Sequence, residues 1–459
     1  MEIFSKKYRE GYGDLVRLGL PVLVTQVGII VVNFADTMMV GRYGTDQLAA
    51  AAFVNSLFVV LTVMQIGFAS GLTPLVGALF GSGNKKEAGR TLRGGLQMNV
   101  ILSLSFTLVM GVVYFFLDKF GQKEELLPLI REYYLIILFS LLPMAVFNTL
   151  QQTCNGITDT RTPMWFILIA NVLNIIGNYA LIFGHWGFPE LGLMGAGLST
   201  LFARILAAVA ITIYFFNRKK YRAYRDGYRT SAATGEVRRK VWLTSYPVMV
   251  QSGVECLLWA FGAIVCGWYS KIQLAAYQVV NTIAQLGFMT YLSFSTATSI
   301  LVANYTGTRD FTSVRRITIS GLHLILLLCT LASLTFLFGG KHLIHLFTPD
   351  EAVIASAMGI LLPLVVYQYM DAVQLTYCNA IRGTSEVKPL LWISIVTYIV
   401  VGIPLLLLFA SIFPAANQGI FWCFCVALGV ACVLLVRSFY KIIGRLEKNA
   451  GLLNKDASR

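Results

Sequence analysis

Long apolar blocks separated by short polar joints run through the whole chain. A helix needs about 20 mostly apolar residues to cross the hydrocarbon core of a bilayer, and twelve blocks meet this requirement. They lie near residues 15–40, 48–80, 94–117, 134–155, 163–184, 192–216, 241–269, 274–305, 317–338, 353–380, 389–413 and 419–443. The pattern predicts an all-α integral membrane protein with twelve transmembrane helices.

Composition excludes a soluble globular protein. Of the 459 residues, 57% are apolar and only 13% are charged, whereas soluble domains contain about 25% charged residues. The eight cysteines have no spacing typical of a metal site. The chain also contains no nucleotide-binding loop, no nucleophile elbow and no zinc-protease helix motif. We therefore expect neither an enzyme nor a resident cofactor.

Basic residues alternate between the joints and predict the topology. Joints on one side, together with both terminal segments, contain 28 Lys and Arg, and the opposite joints contain 6. Because short cytoplasmic loops retain positive charge, both termini are expected to be cytoplasmic. The longest joint is also strongly basic, and we predict that it forms a cytoplasmic linker over 221–240. The net charge of +14 follows from this topology, and no nucleic-acid partner is expected.

An internal repeat divides the chain into two halves. Residues 20–96 align without a gap to residues 246–322, with 18 of 77 positions identical. Six predicted spans separate equivalent positions, so the two halves cross the membrane in the same direction, which is an architecture typical of transporters. We predict an N-terminal six-helix lobe over 1–220 and a C-terminal six-helix lobe over 241–459, arranged as parallel repeats.

Three carboxylates fall within the predicted spans, namely Asp36, Glu255 and Asp371. A charge at the bilayer centre costs at least about 2.5–3.5 kcal/mol, so such residues face a cavity, a partner or a bound cation. The spans contain only two basic residues, Arg17 near a cytoplasmic end and Arg204. At least one acid is therefore expected to lack a fixed counter-ion and to bind an exchangeable cation, although a structural pairing with Arg204 is an alternative.

Neighbouring side chains strengthen the cation hypothesis. Tyr367 and Asp371 are four residues apart on one predicted helix and therefore share a face. Asn174 and Asn178 have the same spacing on another helix, and their amide oxygens are ligands of the kind that hard cations accept. An isolated asparagine in a membrane is more often an interhelical hydrogen-bond donor, so this pair is informative only together with Asp36.

The chain resembles the multidrug and toxic compound extrusion (MATE) transporters of the NorM type. The likeness covers nearly the whole chain and is most specific in the tenth span, Tyr367-Gln368-Tyr369-Met370-Asp371-Ala372-Val373-Gln374, followed by Arg382-Gly383. One departure is Asn155-Gly156 after the fourth span, where the family usually has Arg-Gly.

The resemblance implies a multi-pass antiporter of the bacterial inner membrane, surrounded by lipid. A monomer is the expected state, because it is the default for a carrier built of two bundles. It would export lipophilic organic cations and drugs in exchange for Na⁺ or H⁺ by alternating access. It further implies a cation-coupling site in the C-terminal lobe at Glu255, Asp371 and Tyr367. A second site in the N-terminal lobe would consist of Asp36, Asn174, Asn178 and Thr200. Na⁺ is a candidate ion at any of the three carboxylates.

Two alternative functions stay open at this point. A flippase for lipid-linked oligosaccharides or peptidoglycan precursors shares the architecture, but its pyrophosphate substrate would favour several Arg or Lys within the spans. An ion channel or a proton-pumping subunit also contains buried acids, and a pumping subunit would normally contain embedded lysines, which this chain lacks.

Overall fold

The computed structural model describes residues 6–230 and 234–457, and side chains within 10–229 and 234–450. The described residues are 91% helical and form no β-strand. Many large apolar side chains on the spans are exposed, such as Leu108, Phe338 and Val433. This distribution is expected when lipid rather than water surrounds the helices, because apolar surface then has no reason to turn inward.

Within the described residues, nine α-helices precede residue 231. Short 3₁₀ turns occupy several of the connections between them. The helices are α1 (Lys6–Tyr43), α2 (Thr45–Ser70), α3 (Leu72–Gly81), α4 (Lys85–Tyr114), α5 (Leu127–Phe139), α6 (Leu141–Gly156), α7 (Arg161–Phe183), α8 (Gly192–Asn217) and α9 (Arg222–Thr230).

The structure describes eight more α-helices over residues 234–457, and a π-helical segment, Ile395–Gly402, joins two of them. π-Helical turns are rare and occur frequently at functional sites. The helices are α10 (Gly235–Tyr269), α11 (Lys271–Gly307), α12 (Phe311–His345), α13 (Glu351–Met358), α14 (Leu361–Gly383), α15 (Lys388–Ser394), α16 (Ile403–Ile412) and α17 (Ala416–Ala457).

The number of helices that can cross a membrane confirms the predicted class of fold. Eleven helical stretches within the described residues are long and apolar enough, and α13 with α14 makes a twelfth if the pair, bent by 47°, is counted as one span. The second predicted span is broken at Gly71, between α2 and α3. A Cβ there would lie 2.6 Å from Cα of Ser245, so only glycine permits this close approach.

Contacts group the described residues into two units. The first unit is Val24–Met249, and the second comprises Met1–Leu23 and Val250–Arg459. The boundaries therefore fall inside α1 and α10, so each of these helices contributes to both units. The predicted lobes, 1–220 and 241–459, stay a prediction, because this grouping follows spatial contacts rather than the repeat.

The described part of the predicted linker is helical. Residues 222–230 form α9, which packs against α4 within the first unit. Two glycines allow the backbones to touch: a Cβ at Gly89 would lie 2.0 Å from the Tyr224 carbonyl oxygen, and a Cβ at Gly227 would lie 1.9 Å from the Lys86 carbonyl oxygen. Tyr224 is buried in this contact.

A carboxylate anchors the start of this segment. Asp159, in the joint before α7, accepts hydrogen bonds from Lys220 Nζ (2.7 Å), Thr162 Oγ1 (2.8 Å) and the Tyr221 hydroxyl. Burial alone would raise the pKa of Asp159, but these donors and the lysine charge hold it below its ordinary value. The linker therefore begins at a fixed point on the first unit.

We predict that Gly89→Ala destabilises the protein by about 1–3 kcal/mol, the usual cost of overpacking, because the added methyl group meets backbone atoms of α9. Gly111→Ala is the matched control, since it lies in the same helix with no atom within 4 Å of an added Cβ. Thermal unfolding of the detergent-solubilised protein measures both effects. Equal melting temperatures for the two variants would contradict the described α4–α9 contact.

Candidate functional site

The first unit brings together all four residues predicted for the N-terminal site. Asp36 lies on α1, Asn174 and Asn178 on α7, and Thr200 on α8. Asn178 Nδ2 donates to Asp36 Oδ1. With its amide oriented so that nitrogen faces the carboxylate, Asn174 Nδ2 donates to the same oxygen (2.9 Å), and Asn174 Oδ1 accepts from the backbone N–H and hydroxyl of Thr200 (3.2 Å each). Three helices thus meet at one carboxylate.

The pairing of Asp36 with Arg204 is indirect. Arg204 is close enough to interact electrostatically with Asp36 and Tyr133, but its guanidinium donates to Ser140 Oγ at 2.6 Å. Within the described residues, no ion pair joins Arg204 to Asp36 at 4 Å or less. Arg204 therefore lowers the energy of the charged carboxylate without occupying its oxygens.

Oxygen atoms remain available in this cluster. Asn178 is fully buried, and its Oδ1 has no hydrogen-bond partner within the described part of the chain. Asp36 is only half-buried, so a ligand can reach it. A carboxylate beside an unpartnered amide oxygen is a donor set that suits a hard monovalent cation such as Na⁺.

The second unit holds the other predicted site. Glu255 lies on α10, whereas Tyr367, Asp371 and Gln374 occupy successive turns of α14. Gln374 Nε2 donates to Glu255 Oε1 at 3.4 Å and to the hydroxyl of Tyr398, and that hydroxyl also hydrogen-bonds Glu255. Glu255 is therefore held by α14 and by the π-helical segment.

Asp371 has a different environment. It is 1% exposed, and neither carboxyl oxygen has a hydrogen-bond partner among the described residues. Glu255 is close enough to repel it electrostatically. Leaving a buried charged group unpaired costs several kcal/mol, so a bound proton or cation would stabilise Asp371 strongly. Asp371 is thus the strongest cation-site candidate.

Aromatic rings surround the Tyr367 end of this site. The Tyr367 ring packs edge-on against Trp259, with centroids 5.3 Å apart, and also contacts Phe421 and Phe424. The predicted sharing of a cation by Tyr367 and Asp371 stays a prediction. Their helix face is shared, but no hydrogen bond joins their side chains.

Three further polar residues belong to this site, and the sequence interpretation missed their roles. Arg382, which follows the tenth predicted span, interacts electrostatically with Glu255 and donates to Gln251 Oε1 at 3.0 Å. Tyr398 is buried on the π-helical segment. Hydropathy gives no signal for a π-helical turn, whereas the length of an arginine side chain at a span end could have suggested the reach of Arg382.

A cavity about the size of one water molecule is lined by Gln374 and Tyr398, together with Thr397. Gln374 Oε1 and Thr397 Oγ1 are buried without a partner among the described atoms. Such groups are normally satisfied by protein or water. The residues that line the cavity are Gln251, Gln374, Leu390, Ile393, Ser394, Thr397, Tyr398, Ala431 and Leu435.

Neither cluster resembles a transition-metal centre. The described residues contain no group of three or more His, Cys, Asp or Glu side chains placed to hold a metal ion. Carboxylate, amide and phenol oxygens suit H⁺ or an alkali cation instead. Membrane-crossing helices in two repeated halves, each half with carboxylates inside its spans, are an architecture typical of transporters.

The chain belongs to the MatE family. The family model matches residues 21–180 and again residues 247–408, so the two matches cover more than half of the chain. They begin 226 residues apart, which is the offset of the internal repeat. The family prediction made from the tenth-span motif is confirmed.

Curated relatives are similar over nearly their full lengths. The chain is 29% identical over 429 residues to the probable multidrug resistance protein NorM of Geobacillus kaustophilus, covering 93% of each chain. It is 26% identical to the multidrug resistance protein NorM of Aliivibrio fischeri, covering 87% of this chain and 86% of that one. Neither relative is named as an enzyme, in agreement with the prediction that the chain is not one.

Solved structures share the fold. A eukaryotic MATE transporter, AtDTX14, superposes with a TM-score of 0.87 at 17% identity, covering 97% of this chain and 100% of that one. An outward-facing multidrug resistance MATE family transporter superposes with a TM-score of 0.86 at 18% identity, covering 95% and 97%. These matches confirm the all-helical, MATE-like fold.

We predict that Tyr398→Phe destabilises the protein by about 1–3 kcal/mol, because it removes the hydroxyl that pairs with Gln374 and Glu255 inside the protein. Tyr369→Phe is the matched control: the Tyr369 hydroxyl donates to Thr330 at an exposed position of the same unit, so its loss should cost less than about 0.5 kcal/mol. Thermal unfolding distinguishes the two. A loss no greater for Tyr398→Phe than for the control would contradict this network.

Proposed function

We propose that the protein is a cation-coupled multidrug antiporter that exports lipophilic organic cations by alternating access, with Na⁺ or H⁺ as the coupling ion. The observation that carries this proposal is Asp371, a carboxyl inside a membrane span with two unpartnered oxygens. Family membership and the multidrug resistance names of the relatives support the substrate class.

Competition for the carboxylates is the proposed coupling mechanism. When Asp371 is ionised, its charge favours a cation nearby, and the nearby charge of Glu255 increases this attraction. A proton, Na⁺ or an organic cation can each provide the missing charge, but the buried pair has little room for more than one. Loading one cation therefore favours the release of another, as exchange requires.

The N-terminal cluster is proposed as a second cation site. Two amide donors hold the Asp36 carboxylate in place, while Arg204 stabilises its charge from a distance. A permanent close ion pair would keep a mobile cation away from Asp36. Because Arg204 donates to Ser140 instead, the site remains able to exchange its ion.

Charge also separates this proposal from a lipid-precursor flippase. A pyrophosphate group needs several basic side chains at its binding site. Arg204 and Arg382 are the two basic residues in the clusters described above, and each interacts electrostatically with a carboxylate. The proposal therefore retains the expected partners: organic cations as substrates, lipid as solvent, no nucleic acid and a monomer.

The proposed setting is the bacterial inner membrane, with both termini in the cytoplasm. The charge asymmetry of the joints supports this orientation, and the two curated relatives described above are bacterial. A channel or a proton-pumping subunit is the remaining alternative of another class, and its flux would not depend on exchange for a second ion.

The test is gradient-driven transport of a fluorescent lipophilic cation in proteoliposomes, with Na⁺ and pH gradients imposed separately. We expect transport by the wild type to follow one of the two gradients. Asp371→Asn should reduce gradient-driven transport at least about tenfold, because losing a charge interaction worth about 1.4 kcal/mol already changes an equilibrium tenfold. Glu255→Gln and Asp36→Asn test the other two carboxylates.

Asp118→Asn is the control, since it removes an exposed acid outside the spans and should leave transport unchanged. Transport by Asp371→Asn with wild-type ion dependence would contradict the proposed coupling site. Absence of gradient-dependent transport in every folded preparation would instead favour the flippase, and an uncoupled flux would favour the channel.

A further inference from the structure

A strongly basic surface begins where α8 leaves the membrane. The eighth helix ends at Asn217, and the next twelve residues contain six basic side chains and one acid, Asp226. Clusters of four to eight basic residues next to a membrane span are typical of anionic lipid recognition. We call residues 217–229 the basic surface.

Some of these charges have structural roles and others do not. Lys220 forms an ion pair with Asp159 at 2.7 Å, and Arg225 donates to the Phe216 carbonyl oxygen at 2.6 Å. By contrast, Arg218, Lys219 and Arg222 are exposed and form no ion pair within the described residues. These three charges are therefore available to an external anion.

The available charges sit on a rigid support. The Tyr221 ring stacks on Phe215, with centroids 4.5 Å apart, and its hydroxyl donates to Asp159. Arg222 begins α9, whose backbone touches α4 at Gly89 and Gly227. A support of this kind lowers the entropy cost of binding, because the charges need not be gathered when a ligand arrives.

A groove and an apolar stripe meet at this point. Tyr214, Asn217, Arg218, Lys219 and Lys220 line an open groove, and the Arg218 guanidinium lies 4.9 Å from the centre of the Tyr214 ring. Three exposed apolar side chains of α8 form a stripe, namely Ile205, Val209 and Ile213. They are spaced four residues apart and therefore share a helix face with Asn217.

We propose that this groove binds the phosphate headgroup of an anionic phospholipid, with the acyl chains of the lipid along Ile205, Val209 and Ile213. Arg218 and Lys219 line the groove and supply the charge complementarity, and Arg222 adds an exposed charge three residues further along the chain. Tyr214 lies between the polar and apolar parts, as aromatic rings do at membrane interfaces. The stripe favours a lipid over a free phosphate, because only a lipid places apolar chains directly beneath its phosphate.

The experiment is native mass spectrometry of the purified full-length protein with equal amounts of phosphatidylglycerol and phosphatidylcholine. We expect the wild type to retain phosphatidylglycerol preferentially. The triple variant Arg218→Gln, Lys219→Gln, Arg222→Gln should reduce that preference by about fivefold or more, and raising the ionic strength should reduce it for the wild type.

The matched control is Lys85→Gln, Lys388→Gln, Arg445→Gln, which removes the same charge at exposed, separate positions. Equal loss of preference in the two triple variants would overturn the site. Competition by glycerol phosphate as strong as that by the lipid would show a general phosphate site and also overturn the proposal. Melting temperatures of the variants and the wild type are measured without lipid, so that lost binding can be distinguished from lost folding. The single variant Lys219→Gln is included in the same comparison.

Discussion

Hydrocarbon offers no hydrogen-bond partners, so every polar group within a span must be satisfied by the protein or by something that it binds. The two carboxylate clusters meet this constraint differently. Asp36 receives amide N–H groups from α7, whereas Asp371 receives no hydrogen bond from the described residues. The first arrangement stabilises a carboxylate in place. The second leaves a buried carboxylate that a bound proton or cation would stabilise, which suits the ion-coupled exchange that we propose.

The repeat supplies the scaffold but not the sites. The two family matches begin 226 residues apart, and within the ungapped alignment Asp36 corresponds to Gly262, while Glu255 corresponds to Ile29. Neither carboxylate therefore has an acidic counterpart in the other half. The clusters also differ in their donors, so the two halves would offer a cation different sets of ligands. The repeat therefore accounts for the shared arrangement of helices, whereas the carboxylates and their hydrogen-bond donors differ between the two halves.

Sequence reasoning predicted the features that depend on local composition. The length of the apolar blocks predicted the spans. The candidate residues of each cluster came from the carboxylates within those spans and from the family motif. Features that depend on contacts between distant segments were not predictable. The break at Gly71 reflects its approach to Ser245, and the folded linker reflects backbone contact at Gly89. Tyr398 was missed because the sequence pattern does not reveal a π-helical segment.

In the proposed mechanism, the basic residues leave two of the carboxylates able to exchange a cation. Arg204 and Arg382 interact electrostatically with Asp36 and Glu255, yet each guanidinium donates to a neutral side chain, Ser140 or Gln251. A direct ion pair would satisfy the acid and leave no reason to bind a cation. A buried acid with no cation nearby would instead carry the full desolvation penalty. Arginines held at a short distance reduce that penalty while leaving carboxylate oxygens accessible to an ion that must bind and then depart.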